Sequence, residues 1–243
     1  MSDTQDTFIS HLIELRSRLI HSIVAVLVVF VCLVNWANDI YTLLARPMLA
    51  ALPQGGHMIS TDIAGRFLIP MKVTLMVSFL IALPYVLYQA WAFIAPGLYA
   101  RERKLALPLL IASVFLFFTG MSFAYFVLFP MAFSFFNNSG PISVAVMPDI
   151  DKYLSFVMTT SLAFGVTFEV PVIVILLVRT GIISIVKLKE IRSYVIVGAF
   201  VAGAVFAPPD VLSQFMMALP ICLLYEVGIF FAGFTPKSSE SPA

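Results

Sequence analysis

Three carboxylates stand out by where they sit. Glu169 lies inside the apolar run of residues 153–178, long enough to cross a bilayer. A carboxylate at such a place costs roughly 2.5–3.5 kcal/mol on insertion scales, so it must face protein, a wet cavity or a partner rather than lipid. Glu14 sits in His11-Leu-Ile-Glu-Leu-Arg-Ser-Arg18, beside Arg16 and Arg18. Glu102 follows Trp91-Ala-Phe-Ile-Ala-Pro-Gly97 and is embedded among Arg101, Arg103 and Lys104. Lone carboxylates of this kind can accept a cation. They do not form a catalytic constellation, because none of the three histidines lies deep in the spans near a nucleophile. No phosphate-binding loop, His-Glu-x-x-His or Gly-x-Ser-x-Gly occurs, which excludes the common ATPase, metalloprotease and serine-hydrolase chemistries. His11, His21 and His57 lie near the N-terminus or in a polar connection, and Cys32 and Cys222 are isolated in apolar runs, so neither a metal set nor a disulfide framework is expected. No cofactor is implied.

From spacing, Glu14 and Arg18 are four apart, so an ordinary helical ion pair accounts for them. Glu102 belongs either to a solvated basic loop or, with the aromatic Phe93 before it, to a peptide-binding surface.

The elements that position these residues follow from composition. The 243 residues are 61% hydrophobic and 11% charged, against about 45–50% and about 25% in soluble domains. Mean hydropathy is +1.03. A soluble fold of this size cannot bury that much apolar surface, so the chain is an all-α integral membrane protein. Six spans are predicted, at residues 20–37, 67–92, 105–136, 153–178, 194–206 and 211–234. Before them, Phe8, Leu12, Leu15 and Leu19 mark one face of an amphipathic helix within residues 1–19, expected at the membrane surface. The third span is long. The fifth, at about 20 Å, is short of a hydrocarbon core of about 30 Å, and with the sixth it is read as a short terminal hairpin. Ala207-Pro-Pro-Asp210 ends the fifth, and Asp210 is placed to cap the sixth. Prolines 70, 84, 108, 130, 171 and 220 lie inside or near the spans and are expected to kink them.

Positive charge sorts by connection. Arg16, Arg18, Arg101, Arg103, Lys104, Arg179, Lys187, Lys189, Arg192 and Lys237 fall on one side, and only Arg46, Arg66, Lys72 and Lys152 on the other. Both termini are therefore expected in the cytoplasm, with residues 38–66 and 137–152 as the long far-side loops. No internal repeat is evident. The chain reads as one polytopic domain: 1–19 as surface helix, 20–234 as core, 235–243 as a short cytoplasmic tail.

Several stretches, in order along nearly the whole chain, resemble the TatC family, the multispanning core of the twin-arginine protein translocase, and most of all its enterobacterial members. They are His11-Leu-Ile-Glu-Leu-Arg16, Trp91-Ala-Phe-Ile-Ala-Pro96 with Glu102, Phe123-Ala-Tyr-Phe126, Leu154-Ser-Phe156, Phe164-Gly-Val-Thr-Phe-Glu-Val-Pro171 and Pro208-Pro-Asp210. The resemblance implies a non-enzymatic role in the bacterial inner membrane: recognising the Arg-Arg signal peptides of folded precursors and organising their export on the protonmotive force. By family position, Glu14 and Glu102 receive the arginines, and Arg16 and Phe93 share their surface patch. Glu169 makes a polar contact with a partner or with the inserted precursor. Pro47 shapes the first far-side loop; Tyr125, Asp210 and Glu226 carry weaker expectations. TatA, TatB, precursors and further copies of the chain are the implied partners. Ala207 departs from the hydroxyl residue usual before Pro-Pro-Asp. The rival readings are a proton-coupled solute transporter built around Glu169 and a scaffold for single-span proteins. The missing repeat disfavours the first; the second would be indifferent to paired arginines.

Overall fold

The computed structural model describes residues 2–51, 59, 64–94, 106–139, 149–206 and 211–234. Its elements are helices: α1 (Ser2–Leu33), α2 (Ala37–Ala51), α3 (Gly65–Ile94), α4 (Ala106–Phe123), α5 (Phe129–Ser139), α6 (Ile150–Thr167), α7 (Val170–Arg179), α8 (Ile185–Glu190), α9 (Arg192–Phe206) and α10 (Val211–Gly233). The extended pairing among the described residues is an isolated bridge, in which Ile150 N donates to the Ile59 carbonyl at 3.0 Å.

Five segments are long and apolar enough to cross a membrane: His11–Ala45, Phe67–Ile94, Leu107–Phe133, Ile150–Arg179 and Ser213–Gly233. Arg192–Phe206 is apolar but shorter. These correspond to the six predicted spans. With 15 residues, α9 reaches about 22 Å and is short as expected. The expectation of a short sixth helix is corrected: α10 has 23 residues, about 34 Å. Two further boundaries move. Residues 2–33 form one helix, so the amphipathic stretch runs into the first span without a break. At the far end α1 continues through a 3-10 turn, Val34–Trp36, into α2, so the residues from 38 to 51, expected in a loop, are helical, with Pro47 in the last turns of α2. Its polar residues misled the reading, although nothing between Ala37 and Arg46 breaks a helix.

Proline explains two irregularities. A proline at position i clashes with the carbonyl of i−4 and gives it no N–H. Ahead of Pro130 the chain widens into a π-helical segment, Ala124–Leu128, closed by Phe129 N donating to the Ala124 carbonyl. Pro171 lies in the first turn of α7, and its missing N–H belongs to the Thr167 carbonyl. The fourth span therefore breaks into α6 and α7 through a tight turn in which Glu169 N donates to the Val166 carbonyl at 3.0 Å. At the far end of α7, Gly181 adopts φ +71°, the left-handed conformation that lets a helix stop.

Packing divides the chain into two compact units. The first comprises Met1–Ala50 with Ser60–Val114, the second Ala51–Ile59 with Phe115–Ala243. In the first, α1 lies along α3, and Trp91 Nε1 donates to Ser113 Oγ at 3.4 Å from α3 to α4. Polar residues inside α3 satisfy themselves on the preceding turn: Thr74 donates to the Pro70 carbonyl and Ser78 to the Thr74 carbonyl, each at 2.7 Å.

In the second unit, Phe156 of α6 packs tilted and edge-on against the stacked rings of Phe129 and Phe133 on α5, and Tyr225, Ile229 and Ala232 of α10 form a core with Val174 and Leu188. Ser184 caps α8 by accepting from Lys187 N. At its other end the Leu188 carbonyl is one of the last-turn acceptors that lack an intrahelical donor, and the buried Tyr225 hydroxyl donates to it at 2.9 Å. Tyr225→Phe is expected to cost about 1–3 kcal/mol, since it leaves that carbonyl unsatisfied. A lowered melting temperature of the detergent-solubilised protein checks this; an unchanged one would remove the bond from the account.

Candidate functional site

In the first unit the sequence places Glu14 and Arg18 one helical turn apart on α1, and α3 brings up Tyr85, Gln89 and Phe93 at the same four-residue step. Four-residue spacing puts each set on one face, so the two faces can meet side chain by side chain. Arg18 donates from Nη2 (2.6 Å) and Nε (2.9 Å) to the same oxygen of Glu14, Oε1. Its third nitrogen, Nη1, donates to Gln89 Oε1 at 3.2 Å. Gln89 is buried and donates from Nε2 to the Tyr85 hydroxyl at 2.7 Å. One turn before Glu14, His11 stacks on Phe93 with ring centroids 4.4 Å apart and planes 25° from parallel. His11 Nδ1 is 4.0 Å from the second carboxylate oxygen of Glu14, Oε2.

The helical ion pair is thus present, but it is more than a surface pair. Arg18 is 27% and Glu14 34% exposed, and the guanidinium is tied to a buried amide on another helix. What the arrangement can do is hold a carboxylate in one rotamer, with a stacked aromatic pair beside its second oxygen. That suits a planar cation, which can meet a carboxylate edge-on and an aromatic ring face-on.

Of the expected site residues, Glu14 and Phe93 come together here. Arg16 is exposed on α1, two residues from Glu14 and so turned to another face. Glu102 and Asp210 lie outside the described residues, as do the Pro-Pro pair and the tail. Pro47 is placed by its backbone in α2, not in a loop. Arg18 enters as the helical partner that its spacing from Glu14 predicts; His11, Gln89 and Tyr85 complete the cluster, and the sequence alone does not join them to it. A glutamine one turn after a tyrosine inside the apolar run of α3 was the available signal.

The second unit holds the other expected residues. Glu169, half-buried, occupies the α6–α7 turn, where its carbonyl accepts from Ile173 N at 3.0 Å. Tyr125 lies in the π-helical segment, its ring edge-on to Phe126 with centroids 5.0 Å apart. Such segments inside α-helices frequently occur at functional sites. Glu226 on α10 accepts from Arg192 Nη2 of α9 at 2.6 Å, with both side chains about half exposed. An exposed pair of this kind contributes about 0–1 kcal/mol, and it accounts for Glu226 without a ligand. Glycines permit close packing around the Glu169 turn. A Cβ on Gly120 would sit 2.5 Å from the Phe164 carbonyl oxygen and 2.8 Å from the Phe168 ring, and one on Gly165 would sit 2.6 Å from the Phe117 ring. Among the described residues no group of three or more His, Cys, Asp or Glu could hold a metal ion.

Comparisons with known proteins agree with one another. The family model described as Sec-independent protein translocase protein (TatC) matches residues 10–220. The TatC protein of Escherichia coli strain K12 is 54% identical over 234 residues, spanning 96% of this chain and 90% of its own length. That of Haemophilus influenzae is 48% identical over 240 residues, spanning 98% and 94%, and that of Aquifex aeolicus is 40% identical over 232 residues, spanning 95% and 96%. Among solved structures, the crystal structure of twin arginine translocase receptor TatC superposes with a TM-score of 0.82 at 40% identity, covering 92% of this chain and 98% of that one.

Proposed function

The chain belongs to the TatC family of Sec-independent protein translocase proteins, and from that premise we propose that it is the signal-peptide receptor of a twin-arginine translocase. The family is one of transport proteins, not enzymes, and the chain is a membrane protein with several apolar helices. On our reading it works as one polytopic domain of the inner membrane, with both termini in the cytoplasm. That orientation rests on ten cationic residues on one side against four on the other. It puts Glu14, Phe93 and Glu102 at the cytoplasmic surface, where a precursor arrives.

The observation that carries the proposal is the Glu14 carboxylate, already in contact with a guanidinium at 2.6 Å and set beside the His11–Phe93 stack. A site built to hold one arginine side chain has the chemistry to accept another. Glu102, in a basic connection, supplies the second acceptor, so that two carboxylates face two arginines. Guanidinium–carboxylate contacts are charge-assisted and directional in a way that an ammonium does not reproduce. Arg16, exposed nearby, repels misplaced cations or contacts the peptide backbone.

Glu169 at the α6–α7 break offers a polar contact inside the membrane to a single-span partner or to the inserted precursor. TatA and TatB are the proposed partners, with several copies of the chain in the assembly and the protonmotive force driving transport. By family position, Pro47, Tyr125 and Asp210 are the weaker site positions of this reading.

Photo-crosslinking tests the receptor reading. A benzophenone side chain replaces Phe93 in membrane-embedded protein, and peptides bearing Arg-Arg or Lys-Lys are added. Capture is expected for Arg-Arg alone and should fall strongly in Glu102→Gln. Equal capture of both peptides would favour a scaffold indifferent to arginine.

A further inference from the structure

We infer that Arg18 makes Glu14 selective for arginine over lysine, by plugging one carboxylate oxygen from the α3 side so that an incoming cation meets only the other. This rests on the reading of Glu14 as a signal-peptide acceptor and deepens it.

The geometry behind it is unusual for an ion pair. An arginine side chain commonly meets a carboxylate fork to fork, one nitrogen on each oxygen. Here Nε and Nη2 both go to Oε1, and Nη1 is turned away to Gln89. Gln89, buried and donating to Tyr85, does not follow Arg18 if it moves. The guanidinium is therefore held at both ends, and displacing it breaks contacts to two helices. On the side of Oε2, His11 Nδ1 stands 4.0 Å away, and His11 lies nearly flat on Phe93. A newcomer must share the carboxylate with Arg18, approach Oε2 and settle against the aromatic stack.

Those demands separate the two cations. A guanidinium is planar, delocalised and weakly hydrated, so it can donate to Oε2 while its face lies on a ring, and it tolerates a neighbouring positive charge. An ammonium is a compact, strongly hydrated point charge. It gains little from the stack and would sit best between both oxygens, where Arg18 already is. Without Arg18 that position opens, and lysine becomes acceptable.

The experiment measures the affinities of fluorescent Arg-Arg and Lys-Lys signal peptides for the full-length protein in nanodiscs and reads their ratio. In Arg18→Gln, Lys-Lys binding is expected to tighten about tenfold while Arg-Arg binding changes by less than about threefold, the scale of one charge-assisted contact. Arg18→Lys keeps the charge but cannot hold Glu14 and Gln89 together, so its ratio should fall as well. Gln89→Leu releases the plug without altering either charged residue and should lower the ratio part of the way; it carries the test should the Arg18 variants fail to insert. A ratio unchanged in these variants, or an equal loss of both peptides, overturns the inference and leaves Arg18 a packing residue. A wild-type protein that does not distinguish the peptides would instead overturn the receptor reading, and this inference with it.

Discussion

Glu14→Gln is expected to weaken binding of an Arg-Arg signal peptide by about 10- to 100-fold, corresponding to about 1.5–3 kcal/mol for a hydrogen bond to a charged group. The substitution keeps size and shape and removes only the charge. Arg18 retains a carbonyl oxygen to donate to and keeps its bond to Gln89, so the α1–α3 contact should survive. The loss would therefore report on recognition and not on folding. Fluorescence anisotropy of a labelled peptide on nanodisc-embedded protein measures it, with the melting temperature as a check on the fold. An unchanged affinity would take Glu14 out of the site, and the cluster around it would then be a helix-packing device alone.

Gly120→Val is expected to produce the largest loss of stability of any substitution considered. The new Cβ would lie 2.5 Å from the Phe164 carbonyl oxygen and 2.8 Å from the Phe168 ring. The ring could rotate; the carbonyl cannot, because Phe168 N donates to it at 3.0 Å in the turn that leads to Glu169. Either the third span moves away from α6 or that turn unwinds. Overpacking of this kind costs about 1–3 kcal/mol and sometimes more, and small residues at helix contacts are what allow membrane helices to approach closely. Gly198→Ala is the matched control. Nothing lies within 4 Å of its Cβ, and alanine favours a helix by about 1 kcal/mol over glycine, so it should be neutral or slightly stabilising. Thermal unfolding in detergent compares the two. If Gly120→Val melts with the wild type, the close approach of α4 and α6 is not a constraint.

Much of this molecule is legible in its sequence. Long apolar runs have few physical solutions, so the spans and their order could be read directly, including the short α9. The proposal that Glu14 and Glu102 act as acceptors rests on charge type and on the family resemblance. Other features were less visible. Hydropathy sees the run of residues 153–178 as continuous, because Pro171 and Glu169 barely change its average, yet the steric demand of Pro171 splits it into α6 and α7. The region after Ala37 read as a loop because Asn38, Asp39 and Arg46 are polar, although polarity says where a helix meets water and not whether it ends.

The sequence by itself determined the class of the protein, its helices and their membrane character, since these depend on local composition and on the cost of an unsatisfied backbone in lipid. Only the tertiary structure decided what Arg18 does. Within α1 it could have been no more than the partner of Glu14 four residues back. Its contact with Gln89, 71 residues away, exists because α1 and α3 pack face to face. No local rule sets which oxygen of a carboxylate is filled and which is left open; that depends on the packing of the second helix.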